Sequence, residues 1–170
     1  MPVRVQVEDF DVSRELAALR GGDPRVGAVA VFVGTVRDAN EASTVAAMTL
    51  EHYPGMTEKA LTAIVDEAKS RWDILDALVI HRVGELEPGD QIVLVGVTSA
   101  HRREAFAACE FIIDYLKTRA PFWKKEATSS GTRWVEARTG DDEAAARWSL
   151  APAGDDRGVA RAATVPGTDE

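Results

Sequence analysis

Between Lys117 and Lys125 lie four basic side chains (Lys117, Arg119, Lys124 and Lys125) and no acidic one, in a chain whose formal net charge is −8. They belong to the run Asp114-Tyr-Leu-Lys117-Thr-Arg-Ala-Pro121-Phe-Trp123-Lys124-Lys125-Glu126. A cationic cluster in an acidic protein is a place for an anion. Crowding by like charges also makes an amine release its proton more readily, which suits a nucleophile or an acid–base group. The same residues read equally as a helix C-terminus that favours a cation through its dipole, followed by a solvated strand. A second cluster, His101-Arg102-Arg103, falls in the first turn of a helix. Free N–H groups there, together with the arginines, favour phosphate or carboxylate, although a solvated helix start with arginines paired to surface acids has the same pattern. Arg37, just past an apolar strand, is either a third anion contact or plain surface charge.

Other chemistries find little support. His52, His81 and His101 sit in separate elements without metal-ligand spacing. Cys109, the only cysteine, falls on an apolar helix stripe and reads as a small buried hydrophobe. One cysteine excludes an intramolecular disulfide and a multi-cysteine metal site. There is no glycine-rich phosphate loop and no G-x-S-x-G elbow. With a pI near 5.0, general binding to nucleic acid or to an anionic membrane is not expected.

The elements that must hold these residues follow from periodicity. Val3, Val5 and Val7 alternate with polar residues as a first strand. Asp11 or Ser13 caps a short helix with Leu16, Ala17 and Leu19 inward, ended by Gly21-Gly22. Ala28 to Arg37 is apolar on both faces and is expected as a central strand, with Gly34 marking a bulge or a close approach. After a polar loop over 38–43, Thr44–Tyr53 is a strand expected to pair antiparallel with it. Thr57 and Glu58 open a helix with Leu61, Ile64, Val65, Ala68 and Trp72 on one face. Leu75–Val83 and Gln91–Thr98 form a hairpin about Glu87-Pro-Gly-Asp90. Ser99 is expected to cap the helix that carries Ala105, Cys109, Ile112 and Leu116 inward, with Phe106 and Ile113 beside them. Trp123–Thr128 and Arg133–Arg138 make a second hairpin about Ser129–Thr132, and 142–148 a last short helix.

The 170 residues, 45% hydrophobic and 28% charged, predict one soluble domain over 1–150. No apolar run approaches the ~20 residues that span a bilayer, and the N-terminus lacks a signal-peptide core, so a cytoplasmic protein is expected. Residues 151–170, rich in Gly, Ala, Pro and charge, are expected as a disordered tail. From Gly140 onward, seven acids stand against three arginines, half of the net charge. The body is therefore closer to neutral.

Beyond this anion site with reactive lysines, residue chemistry alone names no reaction. Several motifs together resemble the large, catalytic subunit family of molybdopterin synthase. They are Phe32-Val-Gly34-Thr-Val-Arg37, Leu50-Glu-His-Tyr53, His81-Arg-Val-Gly84, Val97-Thr-Ser-Ala-His101-Arg102 and Lys117-Thr-Arg-Ala-Pro-Phe-Trp-Lys124-Lys-Glu126, followed by Gly131 and Trp134. The resemblance runs from about Val3 to Trp148, and the order and spacing carry it rather than any one motif. It implies an α+β fold of α/β-hammerhead type, with an antiparallel sheet packed by helices and a small additional β subdomain. It also implies a homodimer at the core of a heterotetramer. Each large subunit would bind a small ubiquitin-like sulfur carrier whose C-terminal Gly-Gly bears a thiocarboxylate. The implied reaction adds two sulfurs to cyclic pyranopterin monophosphate (precursor Z), giving molybdopterin. By the same resemblance Lys117 and Lys124 are the catalytic lysines, and Arg37, His101 and Arg102 hold the substrate, the last two reaching across the dimer. Thr35, Val36, Lys125 and Glu126 line the pocket.

The physical reading agrees with this, since both the phosphorylated substrate and the thiocarboxylate are anions. No metal or organic cofactor is required for proton transfer and charge stabilisation by lysine. Two readings of other classes stand beside it: a Schiff-base enzyme acting on a phosphorylated carbonyl, and a non-catalytic adaptor for ubiquitin-like tails.

Overall fold

The computed structural model describes residues 2–40, 43–128, 131–135 and 139–149. The expected tail over 151–170 and the turn residues 129–130 lie outside them. The elements are β1 (Val3–Gln6), α1 (Val12–Arg20), β2 (Ala28–Thr35), β3 (Ala39–Asn40), β4 (Ser43–His52), α2 (Met56–Arg71) and β5 (Asp76–Arg82). They continue with β6 (Gly84–Leu86), β7 (Gln91–Ser99), α3 (Arg102–Arg119), β8 (Phe122–Thr128), β9 (Gly131–Val135) and α4 (Thr139–Ala146), extended by a 3₁₀ turn over Arg147–Ser149.

Two sheets result. The first has the order β1-β5-β7-β2, with β1 parallel to β5 and the other pairs antiparallel. The second runs β3-β4-β8-β9, and β6 pairs β4 as well. The expected α+β fold with a small additional β unit is what forms. α2 and α3 cover one face of the first sheet, where Leu61, Ile64, Val65 and Ala68 meet Val79, Val93, Val95, Val97, Phe111 and Ile112. α1 covers the other face through Leu16 and Leu19, which approach to 3.2 and 3.0 Å of where a Cβ on Gly96 would sit. Asp11 caps α1 by accepting the Arg14 N–H, and Gly21 ends it at φ 55°. A left-handed residue there comes most cheaply as glycine.

Some expectations need correction. β2 is not central: among the described residues it pairs β7 alone and forms an edge, and Val31 is 46% exposed. Its apolar pattern on both faces gave no sign that α1 stops short of its outer residues. Nor does β4 pair β2; its partners are β3, β6 and β8. Phe106 lies outside the α3 stripe at 65% exposure. Ser99 does not cap α3, whose N-cap is His101; Ser99 Oγ instead donates to the Asp73 carbonyl at 2.8 Å. Gly34 does mark a bulge, the register with β7 shifting between Gly34 and Thr35, and a Cβ there would stand 2.8 Å from Val93 Cγ1.

Candidate active site

α3 starts beside Ser99, at the end of β7, and runs back across the first sheet, with Cys109 Sγ 3.9 Å from the Val95 carbonyl at mid-strand. Its C-terminus therefore comes to rest over the other end of the sheet, where Thr35 pairs Gln91 and the chain leaves β2 through Val36 and Arg37. Lys117 sits in the last turn, and Ala120 is the C-cap. The helix dipole favours an ammonium at that position.

β8 returns from Pro121 and alternates. Lys124 and Glu126 stand opposite Leu50 and Met48 of β4, on the inner face. Those two residues pack with Val36 and Leu86 in a small core of their own. Glu126 is only 1% exposed, and Lys124 Nζ lies 3.3 Å from its Oε1. A carboxylate buried this far requires charged or hydrogen-bonded partners, and Lys124 is one. Lys125 points the other way, with Nζ 5.5 Å from the Trp134 ring centroid. Arg119 lies 3.7 Å over the Tyr115 ring and 3.5 Å from Glu67 Oε2. Of the four cations in the segment, Lys117 alone has no ion pair or ring partner among the described residues.

Thr35 and Arg37 are exposed at the same end of the sheet. Val36, expected to line the pocket, sits at the end of β2. Its side chain is buried, its N–H donates to the Asp90 carbonyl at 2.9 Å and its carbonyl accepts from Gly89 N–H at 2.8 Å. It anchors the strand end from which Arg37 projects. His101 and Arg102 are exposed at the opposite end of α3, roughly 22 Å from Lys117 at ~1.5 Å rise per residue. Lys124 and Glu126 are thus in contact, and Arg37 and Lys117 lie towards the same end of the first sheet, while His101 and Arg102 are too far along α3 to share a small ligand with Lys117.

A model of the MoaE protein family matches residues 5–119. The chain belongs to the MoaE family. Within it, the molybdopterin synthase catalytic subunit of Ralstonia nicotianae is 67% identical over 144 residues, covering 85% of this chain and 82% of the relative. The molybdopterin biosynthesis MoaE protein from Burkholderia ambifaria superposes with a TM-score of 0.75 at 59% identity, over 88% of this chain and 98% of that one. A complex of subunits 1 and 2 of molybdopterin-converting factor from Helicobacter pylori shares the fold with this MoaE protein at a TM-score of 0.67 and 21% identity. That likeness covers 81% of this chain and 92% of the matched one. The family match includes Arg37, His101, Arg102 and Lys117 and ends before Lys124.

Two groups assigned no functional role from sequence have defined partners in the structure. His81 is buried and stacks on Phe122, ring centroids 3.8 Å apart, joining β5 to the start of the lysine strand. Its Nδ1–H donates to the Arg82 carbonyl at 2.7 Å, and burial pushes its pKa down to about 4. Its place in an otherwise apolar strand was the available signal. Asp114 accepts from Arg147 at 2.9 Å and from Trp148 Nε1 at 2.7 Å. No local pattern announces a contact across that sequence distance. Cys109 behaves as expected, a buried thiol whose pKa rises to about 12 through desolvation.

Proposed function

We propose that this chain completes its active site as a homodimer and transfers sulfur at Lys117 and Lys124 from a small partner's thiocarboxylate to cyclic pyranopterin monophosphate. As a MoaE protein it is a molybdopterin synthase catalytic subunit, a sulfur-transferring enzyme of molybdenum-cofactor biosynthesis. The observation that carries the finer reading is the state of the cations. Lys117, Arg37 and Arg102 are exposed and without an ion-pair partner among the described residues, in a chain with 28 acidic and 20 basic side chains. Cations left unpaired amid excess acid are available to an anionic ligand.

The roles follow from placement. Arg37 holds the substrate phosphate at the mouth of the site, with His101 and Arg102 of the second subunit supplying the donors that lie too far away within one chain. The partner's extended C-terminal tail, an anion, reaches Lys117. Lys117, fixed by a packed helix end, moves a proton or offsets charge as the C–S bond to the substrate forms. Lys124, held by Glu126, stabilises the second anionic centre. Each transfer exchanges a substrate oxygen for sulfur: a C–O bond of the substrate breaks as the C–S bond forms, and water then cleaves the bond between that sulfur and the partner's acyl carbon, leaving the partner's terminus as a carboxylate. Thr35, Lys125 and Glu126 complete the walls. That the Helicobacter pylori relative was obtained as a two-subunit complex supports a partner of this kind.

The test is to mix the chain with a thiocarboxylated small subunit and precursor Z and to assay molybdopterin. Lys117→Ala is expected to stop turnover while the protein still binds the small subunit. Lys117→Arg is expected to fail too, because a guanidinium keeps its proton. Normal turnover by Lys117→Ala would contradict the assignment.

A further inference from the structure

Lys117 has a carboxylate one turn before it on its own helix. Residues at i and i+3 share a helix face, and an acid placed N-terminal to a lysine in this way pairs with it readily. Asp114 is that acid, and it is engaged elsewhere. Arg147, in the 3₁₀ turn after α4, places its guanidinium 2.9 Å from Asp114 Oδ2 and 2.5 Å from Glu110 Oε1. Trp148 Nε1 donates to the same Asp114 oxygen at 2.7 Å. The clamp is itself anchored, since Arg71 Nη1 donates to the Trp148 carbonyl at 2.7 Å and the Trp148 ring packs edge-on against Trp72 and Phe111. Glu110 and Asp114, four residues apart, would repel each other without the guanidinium between them. Glu67, near this end of α3, is also occupied, meeting Arg71 and Arg119.

We propose that Arg147 and Trp148 act as positioning residues, clamping Asp114 so that the Lys117 amine stays out of an ion pair on its own helix and remains free for the incoming anions. The catalytic value of that freedom rests on the assignment of Lys117 above; the clamp itself does not. Removing Arg147 releases Asp114, which then turns to Lys117.

The experiment uses the full chain with its small subunit and precursor Z. It reads two quantities: turnover, and the rate at which an amine-modifying reagent labels Lys117, followed by mass spectrometry at one pH. Arg147→Ala, at a residue half exposed, is expected to lower Lys117 labelling and kcat by about two- to fivefold with KM little changed, the size of one such ion pair. Trp148→Phe keeps the packing, loses the Nε1–H donor and is expected to have a smaller effect in the same direction. The double variant Asp114→Asn with Arg147→Ala is expected to restore both readouts, because an amide cannot hold the ammonium. If Arg147→Ala leaves labelling unchanged, or the added Asp114→Asn fails to restore it, the clamp is wrong. A labelling effect without any change in kcat, together with an active Lys117→Ala, would instead overturn the role of Lys117 and leave the clamp standing.

Discussion

Lys124 and Glu126 lose unequally when separated, because Glu126 is 1% exposed and the Lys124 side chain 36%. Lys124→Ala leaves a buried carboxylate without its ammonium, a loss of about 1–3 kcal/mol in stability. Glu126→Gln leaves an ammonium that can turn to water, and its cost is expected to be smaller. Urea unfolding of the two variants checks the order, and a larger loss in Glu126→Gln would contradict it. Alternation had already placed Lys124 and Glu126 on one face and Lys125 on the other. It could not say which face was inner, since that depends on β4 supplying Met48 and Leu50 opposite them. The same limit applied to Val36, whose neighbours Met48, Leu50 and Leu86 come from two other strands.

Where β5 meets β8, the His81–Phe122 stack ties the first sheet to the strand that carries Lys124. Burial lowers the folded-state pKa of His81 from 6.5 to about 4. Between those values the unfolded chain binds the extra proton and the folded chain does not. The stabilisation is therefore fully present above pH 6.5 and is lost as pH falls towards 4, by roughly 3 kcal/mol. His81→Phe keeps a ring against Phe122, and its urea midpoint is expected to change less between pH 7 and pH 4.5 than that of the parent. An equal change in both would show that other groups govern this window. At this scale α2, α3, β5 and β7 were legible because their apolar stripes and bounding turns are local signals. Strand order was not. An edge strand such as β2 and a central one share the same residues when one outer face is left open, and Val31 reveals the difference only through its exposure.

At the scale of the whole molecule, the proposed site draws on residues from both ends of one helix. His101 and Arg102 lie roughly 22 Å from Lys117 within a subunit, at ~1.5 Å per helical residue. Sequence periodicity put Arg102 and Lys117 at opposite ends of one helix, as in α3, and the resemblance implied that His101 and Arg102 reach across a dimer. In a two-fold dimer the N-terminal end of one α3 can face the C-terminal end of the other. The decisive measurement is molybdopterin formation by mixed dimers. Lys117→Ala and Arg102→Ala are each made and assayed alone with thiocarboxylated small subunit and precursor Z, then unfolded together, refolded and assayed again. If the site is shared, each mixed dimer holds one site with both residues intact, so random mixing of two inactive proteins regains about a quarter of parental activity. If both residues act within one subunit, every site carries a defect and the mixture stays as inactive as its components, which would contradict the shared site.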